Sequence, residues 1–67
     1  MMSIKLINRD NIKEIEYSEN TKIEDILKQE QIPIESVVVK QDGETVSENE
    51  FVKDGSEIEI IKVIYGG

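Results

Sequence analysis

Cysteine and histidine are both absent from the chain. Without cysteine there are no disulfides, no thiolate metal sites and no thiol nucleophile or redox chemistry. Without histidine there is no imidazole metal ligand and no ordinary general base titrating near neutrality, which argues against self-contained hydrolytic or transfer catalysis. Tryptophan and alanine are missing too, proline occurs once, and the aromatics number three: Tyr17, Phe51 and Tyr65. Positive charge is scarce. Eight bases against fifteen acids give a net charge of −7, a poor match for a polyphosphate backbone or an anionic membrane and a better one for a basic protein partner. No apolar run approaches the roughly 18 residues of a membrane span. The start Met1-Met2-Ser3-Ile4-Lys5 lacks the long apolar core of a signal peptide, so a cytoplasmic location is expected.

What is present suits one small sheet protein. Sixty-seven residues set a ceiling of one compact domain. The apolar set numbers 25, of which twelve Ile and six Val are β-branched. Such side chains lose χ1 freedom in helices and pack well on pleated surfaces, so the core should be mostly sheet.

Along the chain, Ser3 to Asn8 alternates with Ile4 and Leu6 on one face, and Asn8-Arg9-Asp10-Asn11 is rich in turn formers. Ile12 to Tyr17 resumes strand chemistry with Ile15 and Tyr17 in phase, which makes a hairpin. Thr21-Lys22-Ile23-Glu24 matches a capping box with Thr21 as the cap. Ile23, Ile26 and Leu27 form one apolar stripe, and the helix over about residues 22 to 30 should end before Pro33. Val37-Val38-Val39 reads as a strand covered on both faces for part of its length. Asp42-Gly43 turns into a short strand at Glu44 to Val46, Ser47 to Glu50 connects, Phe51-Val52 returns to the core, Asp54-Gly55 turns again, and Glu57 to Val63 is the last strand. The expected architecture is therefore α+β: a β-grasp with a mixed sheet of four to five strands and one helix packed across it, over residues 1–63. Residues 64–67 form a C-terminal tail.

That tail, Ile64-Tyr65-Gly66-Gly67, is the remaining feature. At ordinary glycine usage two terminal glycines occur by chance in about 0.5% of chains. A frayed end or an expression remnant is the bland explanation. The chemical one is that a Gly-Gly end, having no side chains, threads a narrow channel and presents its α-carboxylate to a nucleotide where any Cβ would collide. Adenylation by ATP converts that poor electrophile into a mixed anhydride open to a sulfur or amine nucleophile.

The layout, the length, the segment Val52-Lys53-Asp54-Gly55-Ser56-Glu57-Ile58 and the ending Val63-Ile64-Tyr65-Gly66-Gly67 together resemble the ThiS/MoaD family of ubiquitin-like sulfur carriers. The likeness spans the whole chain, and its specific part lies in residues 52 to 67. It implies a carrier, not an enzyme, that binds no cofactor itself. Its C-terminal Gly67 would be adenylated at the expense of ATP by a partner resembling the ubiquitin-activating enzymes, then converted to a thiocarboxylate that donates sulfur to a downstream accepting enzyme. Gly67 would be the reactive terminus, with Gly66, Tyr65 and Ile64 as its tail. Ser56 departs from the acidic residue expected after the Asp54-Gly55 turn, and Tyr65 is bulkier than the small residue expected before the glycines. The absence of insertions points to a thiamine-type carrier in preference to a molybdopterin-synthase small subunit. A ubiquitin-like modifier joined through Gly67 to lysines begins from the same adenylate, and an interaction module with inert glycines is a third reading. Neither nucleic acid nor membrane is implied as a partner, and the carrier is expected to be monomeric.

The phase of the last strand assigns a docking face. Ile58 and Ile60 point one way while Glu59, Ile61 and Val63 point the other. If the first pair lies under the helix, Ile61 and Val63 form an exposed apolar patch beside the reactive tail, the usual mark of a protein interface. A twist or bulge at Ile60-Ile61 would turn both inward instead. Glu57 and Glu59 share one strand face and read as solvated, not as a metal pair, and Phe51, beside Val52 and a turn, reads as core.

Overall fold

A hairpin opens the chain: β1 (Met2–Asn8) and β2 (Asn11–Tyr17) pair antiparallel from Met2↔Tyr17 to Asn8↔Asn11. Two residues join them, and Arg9 takes φ 60, the left-handed start that suits the twist of a two-residue hairpin loop. The structure, a computed structural model, describes residues 2–63. Helix α1 (Ile23–Gln29) follows, then a 3₁₀ turn at Ile34–Ser36, β3 (Val37–Gln41), β4 (Glu44–Val46) and β5 (Glu57–Lys62). Asp42 and Gly43 both have positive φ, 51° and 86°, as a type I′ turn requires, and they set the Gln41↔Glu44 register of β3 and β4. The five strands lie in the order β2-β1-β5-β3-β4. Only β1 and β5 run parallel, so the first and last strands meet at the centre and the helix spans the crossover.

The two periodicities in the sequence meet in one core. Ile4, Leu6, Ile15, Val39, Ile58 and Ile60 come from one sheet face, and Ile23, Ile26 and Leu27 from the helix stripe. Each fully buried aliphatic side chain of this kind contributes about 1.5–3 kcal/mol, so a small core of this composition supports a single marginal domain.

The helix falls within the expected bounds and ends before Pro33, but its start is capped differently from expectation. The N-cap is Lys22, one residue later than Thr21. The Thr21 hydroxyl donates to the Ser18 carbonyl at 2.7 Å, while the Asp25 carboxylate accepts the Lys22 N–H at 3.0 Å. Two free N–H groups of the first turn are taken by the neighbouring loop: Ile23 N–H donates to the Glu50 carbonyl at 2.9 Å and Glu24 N–H to the Glu48 carbonyl at 3.0 Å. A capping side chain is thus replaced by backbone from a segment distant in sequence. At the other end Gln31 is left-handed at φ 59, its N–H donating to the Lys28 carbonyl and the Ile32 N–H to the Leu27 carbonyl. This is a Schellman motif, closed by Ile32 against the core. The helix stops there, before Pro33 can act.

Phe51 is not core. It is 55% exposed, and the Lys22 ammonium lies 5.8 Å from its ring centroid. Its neighbour Val52 is buried in its place, because in an extended segment adjacent side chains point opposite ways. Around Val52 a polar cluster holds the connection to β5. Buried Gln41 accepts the Lys53 N–H on Oε1 at 2.9 Å, and the hydroxyl of buried Ser56 lies 2.7 Å from the Lys53 carbonyl and 3.1 Å from the same Oε1. Gly55, at φ 77, makes the turn, and Asp54 accepts the Ser3 N–H at 2.9 Å, tying that turn to the edge of β1.

Candidate functional site: the root of the C-terminal tail

The tail leaves from β5, the central strand, held on one side by β1 and on the other by β3. Its inward side chains, Ile58 and Ile60, are buried beneath the helix. Pairing with β3 continues through Val38↔Ile61 and Val37↔Lys62 without a bulge. Beyond the strand, the Val63 N–H donates to the Ser36 carbonyl at 2.8 Å. The 3₁₀ turn after Pro33 thus supplies an acceptor at the point where the sheet stops, and the root is fixed at Val63.

Ile61 is 36% exposed on the sheet face away from the helix, and Val63 is half-buried. Ile64, Tyr65, Gly66 and Gly67, the tail and reactive terminus of the sequence reading, lie outside the described residues. Three apolar residues not assigned to this face from the sequence share it: Ile7, Ile12 and Val38. Val38 sits directly across from Ile61, and Ile7 is paired with Ile12 and flanked by Glu59. Ile12 is 67% exposed. Its signal in the sequence was a phase error, an Ile out of step with Ile15 and Tyr17. Its partner Ile7 follows from the β1–β2 hairpin register, and Glu59 beyond Ile7 from the β1–β5 register.

Charges of both signs stand near the root. A surface cavity of about 300 Å³ opens beside it, with Arg9, Lys62 and Glu30 as its charged walls and Ile32, Pro33 and Ile60 among its apolar ones. Glu35 lies in the 3₁₀ turn next to Ser36, so acids and bases both stand near the exit. Among the described residues no group of three or more Asp or Glu side chains is placed to hold a metal ion, and no helix is long and apolar enough to cross a membrane.

This architecture is the ubiquitin-like β-grasp, and solved structures share it. A molybdopterin converting factor subunit 1, described as putative, from Pyrococcus furiosus superposes with a TM-score of 0.78 at 17% identity, covering 96% of this chain and all of that one. Caldiarchaeum subterraneum ubiquitin gives 0.72 at 19% identity with 98% of each chain covered, and a ubiquitin-like protein of Trypanosoma brucei gives 0.69 at 17%, covering 91% of this chain and 93% of that one. At such identities the likeness is one of fold. The family model described as the ThiS family matches residues 5–67, and the chain belongs to that family of small ubiquitin-like sulfur carriers.

Proposed function

We propose that the chain carries sulfur on the carboxylate of Gly67, within a thiamine-type cofactor pathway. In the first step a Gly67 carboxylate oxygen attacks the α-phosphorus of ATP in a partner enzyme, pyrophosphate leaves, and an acyl adenylate forms. In the second, hydrosulfide attacks the acyl carbon, the C–O bond breaks with AMP as the leaving group, a proton is lost, and a thiocarboxylate remains for transfer to an accepting enzyme. The chain supplies the electrophile and its presentation. Cleavage of ATP and delivery of sulfur fall to partners, in keeping with a chain that lacks cysteine and histidine.

The family match, which runs through Gly67, carries this reading. A fixed root supports it: β5 is the central strand and Val63, the residue before the tail, is held by the Ser36 carbonyl, so the point from which the tail starts is defined. Ile61 and Val63, with Val38 beside Ile61, would be the docking patch.

The test is ATP–pyrophosphate exchange with a ThiS-activating enzyme. Deleting Gly67 should abolish exchange and leave the melting temperature unchanged, since glycine has no side chain to contribute to a core. Persistence of exchange in the deletion variant would refute the carrier role. Ile61→Glu should weaken activation roughly tenfold or more, the loss expected when one buried aliphatic contact is removed from an interface.

A further inference from the structure

The free edge of β2 is the largest unmatched recognition feature outside the tail. β2 lies at the end of the sheet with β1 as its one strand neighbour. Because Asn8 and Asn11 flank a two-residue loop, they form a hydrogen-bonded pair, and the pattern repeats at Leu6↔Lys13 and Ile4↔Ile15. The intervening Ile12, Glu14 and Glu16 therefore turn their N–H and C=O groups away from β1. Among the described residues no turn or loop hydrogen bond ends on those groups. A seven-residue edge without proline or bulge is a template for another strand.

The side chains of the same three residues project from the open sheet face and are all exposed. The only cation on the strand, Lys13, projects to the helix side, where its ammonium meets Glu30 at 2.9 Å. On the open face Lys5 is the register partner of both Glu14 and Glu57. Seen from solvent, the edge offers one apolar position followed by two acidic ones at strand spacing.

We propose that this edge takes up an extended segment of a partner protein as a sixth, antiparallel strand reading basic-x-basic-x-apolar. Its basic side chains sit opposite Glu16 and Glu14, and its apolar one opposite Ile12. A second copy of this chain does not fit. Antiparallel pairing centred on Glu14 sets Glu14 against Glu14, pairing centred on Ile12 sets Glu14 against Asp10, and each copy carries −7. The carboxylates that keep identical edges apart are thus the ones that select a basic strand. The site is distinct from Ile61 and the tail and does not depend on the carrier reading, so a partner held here leaves the terminus free.

The test uses the full chain and a fluorescein-labelled peptide, Arg-Thr-Arg-Thr-Ile, blocked at both ends. Expected are saturable amide shifts centred on Ile12, Glu14 and Glu16, slowed exchange of those three amides, and binding roughly tenfold weaker in a folded Glu14→Lys/Glu16→Lys variant. A peptide N-methylated at its two arginine residues keeps the charges but loses strand hydrogen bonds, and should bind much more weakly. Equal binding of the methylated peptide, shifts spread over acidic residues generally, or shifts centred on Ile61 would overturn the proposal. So would symmetric dimerisation through β2.

Discussion

At the scale of single residues, two polar groups do work that their residue type does not announce. Gln41 is a strand residue that hydropathy would leave in solvent, yet it is buried and accepts the Lys53 N–H at 2.9 Å. Gln41→Leu would leave that donor facing an apolar group, at a cost of about 1–3 kcal/mol; a urea melt should show the midpoint falling with an unchanged m-value. Tyr17 packs half-buried at the core margin, its hydroxyl 3.4 Å from the Val52 carbonyl. Burial, and after it the negative charge of Asp54, pushes its pKa above the usual 10.0. A raised pKa means that the fold favours the protonated phenol, so this contribution is intact below pH 10 and fades as pH rises through the folded value. In a Tyr65→Phe background, absorbance titration should find Tyr17 ionising above the free-tyrosine value, and Asp54→Asn should lower it. Ionisation at or below that value would contradict the assignment. Phe51 belongs at this scale as well. Reading it as core followed from its type, and only the alternation fixed by buried Val52 sends it outward.

Elements were legible where their signal is local. β1, β2 and β5 are written in alternation, β3 in an apolar run, the two turns in Asp-Gly pairs and the apolar stripe of α1 in i, i+3, i+4 spacing. The capping at the helix start was not, because it depends on distant backbone: the carbonyls of Glu48 and Glu50 cap it, and no window around Thr21 contains them. Gln31 carries no sign of its left-handed φ of 59. Gln31→Gly should relieve that conformation and raise stability by about 0.5–1 kcal/mol, a few degrees in melting temperature for a domain of this size. A loss of stability would mean that Gln31 makes contacts that outweigh the strain. β5 gives a sharper contrast, since Ile60 is buried and Ile61 is not. Ile60→Glu places an unpaired charge in a marginal core and should unfold the domain, whereas Ile61→Glu should melt near the parent temperature. The opposite pattern would reverse the faces of the sheet. Only part of the candidate site could be read from alternation: Ile61 could, but its companion Val38 and the Ser36 carbonyl that pins Val63 follow from strand order.

The whole molecule is acidic, with eight bases against fifteen acids. A net charge of −7 gives the domain a long-range attraction to a basic partner. Association with an activating enzyme should therefore slow as salt rises, and stopped-flow rates at low and high ionic strength measure it. A rate independent of salt would assign the acidity to solubility alone. The central claim concerns Gly67. Intact-mass analysis after incubation with ATP, a ThiS-activating enzyme and a sulfur source reads that claim directly. The expected result is a mass increase equal to one oxygen replaced by sulfur, located on Gly67 by fragmentation and absent without ATP. An unchanged mass under conditions that load an authentic ThiS, or a modification that requires a lysine of another protein, would contradict it.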